Sequence, residues 1–378
     1  MLNHIQSVLD QLGLTTLKRA IHVHFSNVEL NAQVFLQRIE GKQVLNGELN
    51  VRLTCLSTTV QLPLKQFIGC QVAVDQVTDM GQYTRLTGII TQASQIYSDG
   101  AFTLYQLTLQ DPTSLWHKRR NSRVFMNKTV PEISEILFKE WQQKSPLFSQ
   151  SLTLDLSKLS ESYDIRPFVM QSNESDYEFM TRLWRSEGIN WWVDEQHLIV
   201  PQVLQMIEPQ ILRLVDNNQH FSALQRGSIR FHRSHATERF DSMMSFTAHR
   251  QLQSTASYVQ RWQADSLTQD DGAGSVLSSH QHSQLFENES LSLEQAWSVS
   301  PAWVADLNGD DQATASSSQQ LDKLNSNLAA YQALQAKYFK AQTTVRDAHV
   351  GYWFSLENHP ELDLHAEGDR QFLICEKH

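Results

Sequence analysis

The chain has 378 residues, 40% apolar and 19% charged, with a formal net charge of −10; these are the proportions of a folded protein too long for one ordinary core. The acidic balance argues against a general affinity for phosphate backbones or anionic membranes. Three cysteines, Cys55, Cys70 and Cys375, without a Cys-x-x-Cys pair, argue against a disulfide or zinc framework and fit folding in a reducing cytosol.

Residues 1–20 read as a helical extension, with Ile5, Val8, Leu9 and Leu12 at helical spacing. That start lacks the basic residues and unbroken apolar run of a secretory signal. No stretch reaches the roughly 20 apolar residues that span a bilayer, so the expectation is synthesis in the cytoplasm and no stable membrane anchor. From Ile21 to Gln110 short alternating segments follow: Val34–Ile39, Gly47–Leu56, Gln71–Val77, Arg85–Ala93 and Phe102–Leu109. Turn residues such as Asp79-Met80-Gly81 and Ser98-Asp99-Gly100 separate them, and this pattern predicts an antiparallel barrel or sandwich over 20–112. Within Phe102–Leu109 the apolar phase slips by one residue, which predicts a bulge or a strand covered on both faces. Cys55 and Cys70 fall in strand-like stretches and read as small buried residues.

A mixed α/β portion is expected over 113–210. Its opening basic run, His117 to Arg123, reads as a solvated loop, not as a nucleic-acid patch. Thr129-Val-Pro-Glu132 and Ser175-Asp-Tyr-Glu178 are capping boxes. The first leads the stripe Ile133, Ile136, Leu137 and Trp141; the second leads Phe179, Met180, Leu183 and Trp184, and Gly188 stops that helix. Ile189–Val193 and His197–Val200 read as a hairpin around Asp194-Glu195-Gln196. A second β-rich portion is expected from 211–264 and 343–378, flanking a polar insertion with helix over 265–342. In that helix, about Gln319–Gln342, Leu321, Leu324, Leu328, Tyr331, Leu334 and Tyr338 form a stripe that fits a core helix or a coiled-coil seam, with core the expected outcome.

Sites for chemistry are scarce. Asp306-Leu-Asn308-Gly-Asp310 opens like a calcium loop, but Asp311 and Ser317 stand where glycine and the closing glutamate belong. The pairs His22/His24, His232/His235 and His280/His282 lack supporting ligands. No nucleophile elbow, phosphate loop or His-Glu-x-x-His occurs, so no catalytic residue, metal or cofactor is assigned and no enzyme is expected.

One segment carries a family signal: Arg166-Pro-Phe-Val-Met-Gln171-Ser-Asn-Glu174-Ser175-Asp176-Tyr-Glu-Phe-Met-Thr-Arg182-Leu-Trp-Arg-Ser-Glu-Gly188-Ile-Asn-Trp-Trp. It resembles the VgrG family of type VI secretion tip proteins, with its Arg-x-x-x-x-Gln-x-x-Glu-Ser-Asp pattern running into Phe-x-x-Arg-Leu and Glu-Gly-Ile. Leu86–Ile90, Tyr105–Leu109, Ser122–Phe125 and the ending Gly351-x-x-Phe354-x-Leu-x-x-His359-Pro360 follow the family's order. The resemblance implies a mainly β fold with an α+β portion, containing two related antiparallel β-barrels of the phage baseplate hub type. It implies a structural role: a homotrimer presenting six barrels to the hexameric tube protein, with a spike and effector or adaptor proteins as further partners, exported by the type VI machine. The same part in a contractile phage or bacteriocin tail, and a cell-wall hydrolase, are the competing readings. The family's small oligonucleotide-binding-like barrel and β-helical spike have no counterpart here. The chain is therefore expected to be a fragment or truncated relative, and its own oligomeric state, trimer or monomer, stays open. Residue by residue, Arg166, Gln171, Glu174, Ser175, Asp176, Arg182 and Gly188 match the signature. Read physically, Arg166, Glu174, Asp176 and Arg182 are expected to form one local charge network fixing helix to hairpin.

Overall fold

The computed structural model describes residues 20–59, 61–100, 102–202, 206–233, 240–254, 256–263, 268–275, 296–299 and 317–378. The expected N-terminal helix, the Asp306–Asp310 motif, His235 and the pair His280/His282 lie outside the described residues.

The N-terminal elements are β1 (Ile21–Phe25), α1 (Val28–Asn31), β2 (Val34–Val44), β3 (Asn50–Ser57), β4 (Gln71–Val77), β5 (Tyr83–Ser98) and β6 (Thr103–Gln110). They pair in the order β1-β4-β5-β6-β3-β2, every neighbour antiparallel. On a flat sheet the edge strands β1 and β2 would stand about 24 Å apart. Only residues 26–33 join them, and the helical turn among these advances only about 6 Å. The sheet therefore curls into a half-barrel, and Asn31 pins the closure: its side chain accepts from the Phe25 N–H at 2.7 Å and donates to the Phe25 carbonyl at 3.0 Å. Alternation then sends Val51, Leu53, Cys55, Tyr105, Leu107 and Leu109 inside. The phase slip expected in β6 is absent: β6 buries every second residue, and the irregularities lie opposite, in β5. The apolar outward residues have another cause. Leu104 faces out in a cross-strand row with Phe35, Leu56 and Tyr97, while Phe102 sits in the exposed turn.

The middle portion follows a 3-10 turn, Pro112–Lys118, capped by the Asp111 carboxylate. Its elements are β7 (Arg120–Lys128), α2 (Val130–Lys144), α3 (Pro146–Ser151), β8 (Leu152–Lys158), β9 (Arg166–Ser175), α4 (Asp176–Glu187), β10 (Asn190–Asp194), β11 (Ile199–Val200) and β12 (Gln210–Val215). Both capping boxes are formed, and α4 ends at Gly188 in the left-handed conformation at φ 74°. Trp116, Phe148, Phe179, Trp184 and Trp191 fill the core between the helices and sheets. The expected hairpin does not form. β10 pairs with β12, and β11 leaves to pair with β5 of the half-barrel. The reason lies in Asp194 and Glu195: both are buried with their carboxylates bonded inside the protein, so they cannot serve as a solvent-facing turn. β12 also pairs in parallel with β8, which carries the middle sheet past the expected boundary at residue 210.

The C-terminal elements are β13 (Ser222–Arg230), β14 (Met243–Arg250), β15 (Ala256–Gln263), β16 (Thr268–Ser275), β17 (Ala296–Val299), α5 (Ser317–Ala336), β18 (Lys337–Thr343), β19 (Tyr352–Glu357), β20 (Gln371–Leu373) and β21 (Glu376–Lys377). They form sheets β13-β19-β20, β14-β18 and β16-β15-β17, and β21 returns to β2. The sequence expected weak local structure at the start of the insertion; there β16 is paired along its length with β15. Two expectations for α5 need correcting. The helix stops at Ala336 because 337–343 is claimed by β14 as a strand, where Tyr338 stacks on His249. Its leucine stripe is not core: Asn325, Ala329, Ala333 and Ala336 face inward, whereas Tyr331 and Leu334 are 60% and 69% exposed. Small inward residues let the helix lie close to β15 and β16, and Asn325 accepts a hydrogen bond from the Ser257 hydroxyl at 2.6 Å.

Candidate functional site

The signature residues gather around the first turn of α4. Ser175 caps the helix and Glu178 reaches back to the Ser175 N–H at 2.8 Å. Asp176, fully buried, collects donors from three elements. Its carboxylate accepts from Arg119 Nε, from Trp141 Nε1 at 2.8 Å and from Gln171 Nε2 at 2.9 Å. Gln171 in turn accepts from Arg123 Nε at 3.1 Å, and Arg123 donates to Glu140 at 2.7 Å. The single network expected from Arg166, Glu174, Asp176 and Arg182 splits into three. Arg182 pairs with Glu174 at the surface, Arg166 pairs with buried Glu187 and Ser186, and Asp176 looks toward Arg119 and Arg123. Glu174 is half-buried in β9, whereas Asp176 is the first residue of α4 and fully buried, so the two carboxylates meet different partners. Gly188 has a packing role as well as a capping one, since a Cβ there would stand 2.8 Å from the Asn327 amide of α5.

A second set of buried charges joins the half-barrel to the rest of the chain. Glu195 accepts from the Thr87 N–H at 2.7 Å, the Thr87 hydroxyl and Gln210 Nε2 at 2.9 Å. Burial pushes its pKa up to about 7, against the lowering pull of those bonds. Asp194, raised by burial, accepts from Arg213 at 2.6 Å and from the Tyr352 hydroxyl at 2.7 Å. Arg85 grips Asp75 through two bonds of 2.7 and 2.8 Å and reaches the Met206 carbonyl. Arg226 lies between Asp79 and Asp347, 2.7 Å from each, and Arg346 bonds the Val77 carbonyl at 2.6 Å. His349, its pKa held far down by burial, meets the Thr84 hydroxyl at 2.8 Å. Gly351 sits at φ 85° with the Trp192 indole 2.5 Å from where a Cβ would be, so only glycine lets the chain pass there.

Sequence reasoning missed most of this second set. The sequence reads Asp194 and Glu195 as turn acids and, in the first set, Arg119 and Arg123 as loop cations. The available signal was their apolar setting: Trp191-Trp192-Val193 runs directly into Asp194, and buried charges require partners. His22 and His24 do share β1, beside Tyr83 and Asp75 respectively. Among the described residues no group of three or more His, Cys, Asp or Glu is placed to hold a metal ion. No helix among them is long and apolar enough to cross a membrane.

What this arrangement does is join three portions of one chain through buried charged side chains that bond across the joints, Arg226 to Asp79, Glu195 to Thr87, Asp194 to Tyr352 and Arg346 to the Val77 carbonyl. The class it defines is a mainly β protein built on a curled antiparallel sheet. The chain belongs to the phage tail baseplate hub family (GPD), whose family model matches residues 43–378. Curated relatives include the type VI secretion system spike protein VgrG1a of Pseudomonas aeruginosa, 28% identical over 170 residues, which are 44% of this chain and 25% of that one. The actin cross-linking toxin VgrG1 of Vibrio cholerae is 35% identical over 158 residues, 39% of this chain and 14% of that protein. The matches thus span a quarter or less of those relatives' lengths, and they agree with the resemblance drawn from Arg166–Trp192. Among solved structures, Escherichia coli c3393 superposes with a TM-score of 0.59 at 14% identity, over 94% of this chain and 71% of that one. It is described as a type VI secretion component similar to the T4 tail proteins gp27 and gp5. A tail protein of Neisseria meningitidis gives 0.52 at 12% identity, over 94% and 90%.

Proposed function

We propose that this chain is the structural hub of a type VI secretion tip: a trimeric adaptor that joins the hexameric tube to the membrane-puncturing spike and its cargo. The observation that carries the reading is the family match over 43–378, on a body whose portions are joined by buried charges such as Arg226 with Asp79 and Glu195 with Thr87. Such a part works by shape and rigidity, with no turnover. Three chains of two related β-regions each meet a six-fold ring without changing the ring's symmetry. In this reading 20–112 is the first barrel, the middle portion runs to 215, and later strands supply the second barrel around the insertion and α5. Arg166, Gln171, Glu174, Ser175, Asp176, Arg182 and Gly188 serve as its packing signature, with no catalytic role. The protein is made in the bacterial cytoplasm and leaves through the type VI machine, and effector or adaptor proteins bind the full-length spike.

The test is deletion of the gene followed by immunoblotting of the tube protein in culture medium. Loss of exported tube protein, restored by the intact gene, is the expected result; undiminished export would overturn the reading. The fold shared with the Neisseria tail protein, 90% of whose chain is covered, favours a second reading: a phage or bacteriocin tail hub. In that case deletion abolishes sheathed particles and leaves tube-protein export untouched.

A further inference from the structure

The turn between β2 and β3 seats the half-barrel on the middle portion, and Asn46 makes most of that contact. Its main-chain N–H donates to the Trp191 carbonyl at 2.8 Å, and its side-chain oxygen accepts from the Trp191 N–H at 2.8 Å. One asparagine thus copies the paired bonds of a neighbouring strand, on the edge of β10 that β12 leaves open. Its side-chain amide also donates to Asn190 Oδ1 at 2.7 Å, and Gln43 Nε2 donates to the Val193 carbonyl at 3.2 Å. Within the turn, the Gly47 N–H bonds the Val44 carbonyl at 3.2 Å. Asn46 is the third of those four residues and sits at φ 61°, a left-handed conformation that asparagine tolerates. A Cβ on residue 47 would press on the Val44 Cβ at 3.1 Å. The fold therefore calls for asparagine at 46 and favours glycine at 47.

That pair is chemically labile, because glycine carries no side chain to hinder its own nitrogen. The Gly47 nitrogen gives its proton to water and attacks Asn46 Cγ. An N–C bond forms, the bond from Cγ to the side-chain nitrogen breaks, and ammonia leaves a cyclic succinimide. Water then opens either of the two ring C–N bonds, giving aspartate or isoaspartate, and nothing is oxidised or reduced. Both residues are half-buried, so water reaches them. The seated turn opposes the attack at both reacting groups. The Gly47 N–H is engaged by the Val44 carbonyl, and the oxygen and nitrogen of the Asn46 amide are both held on β10.

From this geometry we infer that Asn46-Gly47 is a spontaneous deamidation site gated by the joint, closed while the turn is seated on β10 and open when the half-barrel lifts from the middle portion. The two products act differently there. Aspartate keeps an acceptor for the Trp191 N–H, and the Asn190 amide turns over to donate to the second oxygen. Isoaspartate carries the main chain through the side-chain carbonyl and adds a methylene to the backbone, so its N–H and its oxygen no longer reach both groups of Trp191. Formation of isoaspartate makes an opening of this joint permanent. The inference goes beyond the hub reading and does not rest on it.

The experiment ages the full chain in mildly alkaline buffer, native and in concentrated urea, and follows the tryptic peptide 43–52 by mass spectrometry. Fragmentation separates Asn46 from Asn50 in that peptide, and methylation by an isoaspartate methyltransferase reports the isoaspartate. The other Asn-Gly pair, Asn308-Gly309, lies outside the described residues and falls in a different peptide. Asn46 is expected to deamidate about tenfold or more slowly in the native protein, since losing one hydrogen bond of the joint already shifts its opening by about that factor. Equal rates in the two conditions overturn the gate, and an Asn46 that stays intact in urea overturns the site. Asn190→Ala removes one hold on the amide and should raise the native rate about threefold or more, with the urea rate unchanged. A parent-like native rate in that variant, with a melting temperature within about 2 °C of the parent, also overturns the gate. Should the variant fail to fold, the ratio of native to urea rates in the parent decides. Aged protein enriched in isoaspartate at 46 should exchange the Trp191 amide hydrogen faster than fresh protein does; unchanged exchange overturns the permanent opening.

Discussion

Glu174 and Asp176 stand two residues apart in the signature, and the structure gives them opposite energetic roles. Asp176→Ala removes the acceptor shared by Arg119, Trp141 and Gln171. Arg119 keeps a long bond of 3.3 Å to Glu140 and Gln171 keeps the Glu174 carbonyl at 3.1 Å, so the loss is partly cushioned. An unpaired buried donor costs about 1–3 kcal/mol, and breaking a buried ion pair costs about 3–5; with the cushioning, about 3–4 kcal/mol is expected. With a urea slope of about 3 kcal/mol per molar, the tryptophan-fluorescence unfolding midpoint should fall by about 1 M. Glu174→Ala removes a pair whose arginine side chain is 50% exposed, and it should cost no more than about 0.5 kcal/mol. Asp176→Asn, which keeps one acceptor and loses the charge, should fall between the two. Equal effects of the two alanine variants, or an Asp176→Ala midpoint within error of the parent, would refute the reasoning that burial and donor number set the difference.

Three further outcomes are expected. Gly351→Ala forces a side chain into φ 85° against the Trp192 ring; a strained left-handed residue costs about 1–3 kcal/mol before the clash is added, so a clear drop in melting temperature should come with altered tryptophan emission. Glu195 binds its proton more tightly folded, with a pKa near 7, than unfolded near 4.5. Its ionisation therefore takes stability away as pH rises between those values, and the cost is absent below them. Thermal unfolding from pH 5 to 8 should show that loss, and Glu195→Gln should flatten it; an unchanged pH slope in the variant would contradict the assignment. Ser175→Ala removes a cap from α4 and should lower stability by about 1 kcal/mol in denaturant titration.

What was legible in the sequence was local. The two capping boxes, the Gly188 stop, the strand Gln71–Val77 and, within the expected Gly47–Leu56, most of β3 follow from patterns that a few neighbouring residues settle. The errors came where distant partners decide. Ile199–Val200 looks like the return arm of a hairpin until β5 takes it, and Lys337–Thr343 reads as helix until β14 pairs with it. The charges of the joint were hidden for the same reason. Arg85 finds Asp75 across an antiparallel pair, but Glu195 finds Thr87 across more than a hundred residues, a separation that periodicity does not encode. The α5 stripe was visible as a stripe, yet its direction was not, because an alanine row beside it fits a close sheet better than leucines do.

The most direct test of the account is the mass of the complex between this protein, in its full natural length, and the tube protein of the same organism's secretion system. Native mass spectrometry of the purified complex would supply it. Three hub chains on one six-membered tube ring are the predicted result. No complex with the tube protein, or a hub present in a number that does not divide the ring's symmetry, would contradict the adaptor role.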